Sequence, residues 1–228
     1  MSRAVTDEVQ FEGNGRIQAW FSRPADAGRY PAIVLLHGRN GVSDSFRDVG
    51  VRFAEEGVAS LAVNYMTNGE PPNPEVIPTI GGALQFLESQ PVVDSEKIAL
   101  SGYCRGGGLT YMGLSRYSRF SAGVIWHGAI PPEAQAVKVP IIILHGLSDP
   151  SVSVDKVFDL AKQLNAEGKS VQLKTYAGCE HAFTLPGGGA YQAEAADDAF
   201  REAVLFLRRR YGLPAGAVGP LVRDPVPA

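Results

Sequence analysis

Five consecutive residues, Ala32-Ile33-Val34-Leu35-Leu36, are apolar without interruption and run straight into His37-Gly38. A strand with one face in water alternates apolar and polar side chains. A strand that is apolar at every position is buried on both faces, as in a parallel sheet covered by helices. Related runs return at Ala59-Ser60-Leu61-Ala62-Val63, Lys97-Ile98-Ala99-Leu100-Ser101, Ala122-Gly123-Val124-Ile125-Trp126 and Pro140-Ile141-Ile142-Ile143-Leu144. Helical faces lie between them: Phe46, Val49 and Phe53, stopped by Gly57; Ile80, Ala83, Leu84 and Leu87; Val154, Val157, Ala161 and Leu164, stopped by Gly168; and Ala196, Phe200, Ala203 and Leu207. Val171, Leu173 and Thr175 alternate as a further strand, and Pro71, Pro72 and Pro74 mark a loop. Near the start, Asn14-Gly15 separates two alternating segments and signals a hairpin. Strands alternating with helices predict an α/β fold with a mostly parallel sheet covered on both faces.

The chain has 228 residues, of which 45% are apolar and 20% charged, enough for one α/β core. The reading is a single domain over 1–213 followed by a tail over 214–228 rich in Pro, Gly and Ala, disordered or draped over the surface. The net charge of −3 comes with no basic block, which argues against nucleic-acid binding. Arg208, Arg209 and Arg210 are assigned to the end of a helix, where cations complement its dipole. No run approaches 18 apolar residues and the N-terminus lacks a signal-peptide core, so the default expectation is a cytoplasmic protein without a membrane span. Two cysteines, Cys104 and Cys179, imply no disulfide framework. The four histidines are widely separated, and no HExxH or paired CxxC occurs, so no metal is expected. The glycines around Cys104 form neither a dinucleotide fingerprint nor a P-loop, and no cofactor is expected.

Chemistry concentrates at Gly102-Tyr103-Cys104-Arg105-Gly106, followed by Gly107 and Gly108. A strand precedes this stretch and a helical one follows it, the context of a nucleophile elbow. Such a turn is tight, so the residues two before and two after the nucleophile must be small, and both are glycine. The turn would aim the Cys104 side chain toward a helix N-terminus, where thiolate is favoured. The N–H of Arg105 would be one oxyanion donor. The alternative is a structural cysteine beside a glycine turn.

A thiol nucleophile benefits from a base, and the base from an orienting carboxylate. Such groups gather on loops beyond strand C-termini. Asp149 follows the strand ending at Leu144, and His181 follows the strand that begins at Val171. The order nucleophile, acid, histidine matches that of α/β-hydrolases. His37, His127 and His145 also end strands. His145 reads as structural, His37 opens a loop where an oxyanion donor is expected, and His127 lines the pocket beside Trp126.

With these residues in view, the chain resembles the dienelactone hydrolase family of α/β-hydrolases from about Pro31 to Tyr211. The resemblance rests on Gly-Tyr-Cys-Arg-Gly-Gly at 102–107, His145-Gly-x-x-Asp149, Gly178-x-x-His181-x-Phe183, and Arg47-Asp48 with Glu56-Gly57. It implies an ester or lactone hydrolase with Cys104, Asp149 and His181 as triad and the Arg39 and Arg105 amides as oxyanion hole. His37, Tyr65, Trp126, His127 and Phe183 are taken as the pocket lining for a small ester or lactone. Two departures stand out. The family's glutamate after the first central parallel strand is absent from His37-Gly38-Arg39-Asn40-Gly41. Its two substrate-carboxylate arginines correspond to Asn68, in Asn64-Tyr65-Met66-Thr67-Asn68, and to Leu185. Arg39 or Arg105 is the candidate replacement cation, and an Arg39 side chain near Cys104 is expected to raise its thiolate population. A different class of reading pairs Cys104 with Cys179 in a reversible disulfide, making a redox-responsive binding module. A third is a non-catalytic small-molecule binder, against which the complete Cys–Asp–His set argues.

Overall fold

A computed structural model describes residues 3–214 and 216–219. The Asn14-Gly15 signal is a hairpin: β1 (Ala4–Gly13) pairs antiparallel with β2 (Gly15–Pro24), with Gly15 at φ 79°. The apolar run becomes β3 (Tyr30–Leu36), followed by α1 (Asp44–Glu55), β4 (Ala59–Val63) and α2 (Asn73–Glu88). Then come β5 (Val93–Tyr103), α3 (Arg105–Arg116), β6 (Ala122–Trp126), β7 (Ile141–Gly146), α4 (Val154–Ala166), β8 (Val171–Tyr176) and α5 (Ala193–Tyr211).

All eight strands join one sheet in the order β1-β2-β4-β3-β5-β6-β7-β8. From β4 to β8 every neighbouring pair is parallel, while β2 meets β4 antiparallel. The alternation within β3 explains its unbroken apolarity. Ala32, Val34 and Leu36 pack into one core layer with Ile80 and Leu84 of α2, Leu109 and Tyr111 of α3, and Val157 and Leu164 of α4. Ile33 and Leu35 point into the other layer with Phe46 and Phe53 of α1 and Phe200 and Leu207 of α5. β8 is an edge strand, and its alternation reflects that half-exposed position.

Of the proline run read as loop, Pro71 and Pro72 do precede α2, but Pro74 does not stay outside it. Pro74 lies in the first turn of α2, where a missing N–H costs little, and Pro78 lies inside the helix. A short 3-10 turn at Pro132–Ala136 had no periodic signal. Of the tail, residues 216–219 run back over the surface: Arg208 donates to the Gly216 carbonyl (2.8 Å), and the Gly219 amide donates to Glu56 (3.0 Å). The other expectations for 214–228 lie at 215 and 220–228, outside the described residues. No helix among the described residues is long and apolar enough to cross a membrane.

The topology fixes where a site can form. From β3 the chain moves to β4 on one side and then crosses to β5 on the other. Loops leaving the C-terminal ends of β3 and β5 therefore diverge and open a crevice between them. The loop His37-Gly38-Arg39 follows β3, and Cys104 follows β5.

Candidate active site

Cys104 stands between β5 and α3 with φ 54° and ψ −114°. Among the described residues three non-glycines have positive φ: Cys104, His127 and Ala182. All three flank the same crevice, following β5, β6 and the histidine after β8, so the backbone strain of the fold is concentrated there, at a cost of order 1–3 kcal/mol each. The glycines make the turn sterically feasible. A Cβ on Gly102 would lie 2.1 Å from the Gly106 carbonyl oxygen, and one on Gly106 would lie 2.3 Å from that of Leu36. The elbow is tied down by Cys104 N–H to Trp126 O (3.0 Å) and by Gly107 N–H to Cys104 O (3.0 Å).

Asp149 and His181 meet Cys104 from two other loops. His181 Nδ1 lies 2.7 Å from Asp149 Oδ2. The other Asp149 oxygen accepts the amides of Ser151 (2.8 Å) and Val152 (2.9 Å), an Asx turn that fixes the carboxylate. The imidazole also interacts with the Cys104 sulfur. That interaction raises the His181 pKa to about 9 against the opposing effect of burial, with the Asp149 bond adding to it. Burial pushes the Cys104 thiol up, but the hydrogen bond and charge of His181, then the backbone amides of Arg105 and Arg39, bring it below its ordinary value. The two shifts run in the direction that favours a thiolate beside an imidazolium. The Arg39 contribution runs through its amide rather than through the guanidinium invoked from sequence.

The remaining expected residues separate into distinct roles. His145 is buried and structural, its Nε2–H donating to Val152 O at 3.0 Å. His127 is fully buried, bonded to Thr184 Oγ1 (3.0 Å), and packs edge-on to the His181 ring at 5.0 Å. Burial, with His181 and His145 nearby, holds it well below the usual histidine range, so no second cation opposes the imidazolium. Trp126 and Phe183, expected in the pocket, lie in the core. Trp126 stacks on Tyr103 and donates to Ser101 (2.9 Å), while Phe183 packs against Tyr176. His37 and Tyr65 are buried and stacked on each other.

Arg105 is no free cation. Its guanidinium donates to Asn73 Oδ1 (2.8 Å), Glu70 Oε1 (3.1 Å) and the Pro71 carbonyl, and lies over the Tyr65 ring. The Arg39 side chain is exposed. Arg39, Glu70, Pro71, Pro72, Asn73 and Arg105 line a cavity of about 360 Å³. Asn68, at one expected arginine position, is engaged with the carbonyls of Asn14 and Arg16 beside the β1–β2 turn. Sequence reasoning missed Glu70 and Asn73 as the clamp on Arg105, and Thr184 as the partner of His127; polar residues in loops carry no periodic signal. Both cysteines are free thiols. The Cys179 thiol is buried, donates to Gln192 Oε1 (3.3 Å) and has its pKa raised by burial, the wrong direction for a reactive thiol. No group of three or more His, Cys, Asp or Glu among the described residues is placed to hold a metal.

The chain is similar to known proteins over most of its length. The sequence model of the dienelactone hydrolase family matches residues 17–211. A candidate carboxymethylenebutenolidase of Methylorubrum extorquens is 25% identical over 88% of this chain and 79% of its own. A candidate 2-oxo-3-(5-oxofuran-2-ylidene)propanoate lactonase of a Bradyrhizobium species is 23% identical over 88% of this chain and 92% of its own. Among solved structures, a candidate dienelactone hydrolase of Klebsiella pneumoniae superposes with a TM-score of 0.83 at 21% identity, covering 90% of this chain and 99% of its own.

Proposed function

The chain belongs to the dienelactone hydrolase family and is an ester or lactone hydrolase, and on that premise we propose that Cys104 is its nucleophile, acting with His181 and Asp149 through a thioester. The observation that carries the reading is the His181 Nδ1–Asp149 Oδ2 bond of 2.7 Å, formed by the same imidazole whose titration is coupled to that of Cys104 in the strained turn. The Cys104 thiolate adds to the carbonyl carbon. Negative charge develops on the carbonyl oxygen, where the Arg39 and Arg105 amides would receive it. The imidazolium of His181 gives its proton to the departing alcohol oxygen as the C–O bond breaks, leaving the acyl group on sulfur. Neutral His181 then takes a proton from water, the hydroxide adds to the thioester, and the C–S bond breaks to release the acid and restore the thiolate. A nucleophilic thiol is maintained in a reducing compartment, which favours the cytoplasm.

The nucleophile constrains the substrate. In the first tetrahedral intermediate a stabilised thiolate leaves more readily than an alkoxide, so collapse toward thioester favours an acidic leaving group such as a phenol or an enol. The reading favours aryl esters and enol lactones of small acids, and it needs no substrate carboxylate at the positions of Asn68 and Leu185. Phenyl acetate is expected to be cleaved with kcat/KM about 100-fold above that of ethyl acetate. Equal rates for the two esters would contradict a thiolate nucleophile.

A further inference from the structure

We propose that Tyr65 is the positioning residue of the oxyanion hole, holding the backbone that carries one donor amide and steadying the residue that carries the other. The proposal rests on the reading of Cys104 as nucleophile. Tyr65 follows β4 and is 2% exposed, so it is not part of an open pocket wall. Its hydroxyl donates to the His37 carbonyl at 2.9 Å and approaches the Gly38 carbonyl at 3.4 Å. The second contact is the informative one. The Gly38 carbonyl and the Arg39 N–H belong to one planar trans peptide, so they point in opposite directions. Any group that grips the carbonyl sets the direction of the amide, and this peptide adjoins the nucleophile: a Cβ on Gly38 would lie 3.4 Å from that of Cys104, and the Arg39 amide is among the groups that lower the thiol pKa.

The grip is double. His37 Nδ1–H also donates to the Gly38 carbonyl, at 2.6 Å. That ring is stacked on Tyr65 with centroids 3.9 Å apart and planes 9° apart. Burial, with the charge of Arg105 adding to it, lowers the His37 pKa to about 4 although the Gly38 bond opposes this, so the ring stays neutral. The Arg105 guanidinium lies 5.5 Å from the centroid of the same Tyr65 ring. One buried aromatic side chain thus touches the loop behind the first donor and the side chain of the second.

The test is Tyr65→Phe, which keeps the ring, its stack on His37 and its contact with Arg105 and removes only the hydroxyl. Three measurements separate positioning from stability. The pH midpoint of Cys104 alkylation by iodoacetamide is expected to rise by about half a unit, because one amide no longer points squarely at the sulfur. kcat for phenyl acetate is expected to fall about tenfold or more with KM nearly unchanged. Thermal unfolding reports the structural cost separately. An alkylation midpoint equal to that of the unsubstituted protein would overturn the proposal, since a merely structural tyrosine alters Tm and not the thiol. The alkylation readout requires no turnover, so it stands apart from the assignment of Cys104 as nucleophile, which fails on its own variant. Hydrogen exchange of the unsubstituted protein supplies an independent reading should the variant not fold. The Gly41 amide, which donates to the gripped Gly38 carbonyl at 3.3 Å, is expected to exchange measurably more slowly than a free amide, and free-amide exchange there would also overturn the proposal.

Discussion

Cys104→Ala is expected to lower kcat/KM for phenyl acetate by about 10⁴-fold or more, while the fold persists. The size follows from the mechanism: without sulfur there is no covalent step, and only backbone donors and binding remain. The fold persists because the constraint at this position lies in the backbone. The turn demands φ 54° of whatever residue stands there, and alanine and cysteine meet that strain alike. The small neighbours Gly102 and Gly106, which close the elbow, are untouched. Loss of the thiolate also removes the main cause of the raised His181 pKa, so the histidine should titrate closer to its ordinary value in this variant. Cys104→Ser is expected to be nearly as impaired, since a hydroxyl is far less acidic than a thiol and must be deprotonated during attack. Retention of more than about a tenth of the original activity by Cys104→Ala would refute the assignment.

Asp149→Asn is expected to cost about 10³- to 10⁴-fold in kcat, again with a folded protein. One oxygen of the substituted amide can still accept the Ser151 and Val152 amides, so the turn survives. The other atom, now an NH₂, would face His181 Nδ1. A donor there forces Nδ1 to accept, which places the imidazole proton on Nε2, toward Cys104, and leaves no lone pair to take a proton from the deacylating water. The pH profile carries a second signature. Activity requires deprotonated Cys104 and protonated His181. It therefore rises as pH passes the lowered value of the thiol and falls as pH passes the His181 value of about 9. Asp149 is one of the groups that raise His181, so its neutralisation moves the alkaline limb downward. An alkaline limb unmoved in Asp149→Asn would show that the carboxylate does not act through His181.

The parts of this account that were legible in sequence are those with severe local demands. A parallel strand buried on both faces leaves no polar position, so β3, β6 and β7 announce themselves. A nucleophile turn tolerates nothing beyond hydrogen at Gly102 and Gly106, so the elbow is written in glycine. Asp149 and His181, which the structure brings within 2.7 Å of each other, were singled out through the rule that functional groups collect after strand C-termini. That rule places residues near an edge but does not say which way they face. Trp126 and Phe183 end up in the core because the strand pleat and the covering helix turn them inward, and Tyr65 turns toward backbone carbonyls rather than toward the crevice. The cause of thiolate stabilisation was misplaced for the same reason: a sequence shows the Arg39 side chain, whereas the amide that faces the sulfur belongs to every residue type. Pro74 misled because proline punctuates loops in general yet is tolerated in the first turn of a helix.

The most direct test of the central claim is capture of the acyl group. Phenyl acetate should be mixed with the enzyme, quenched in acid within the first turnovers, digested, and the peptides weighed. The account predicts one acetyl group on the peptide containing Cys104, lost on treatment with hydroxylamine as a thioester is, and absent from Cys104→Ala. An acetyl group on another residue while turnover proceeds, or an active enzyme that never acylates Cys104, would contradict it.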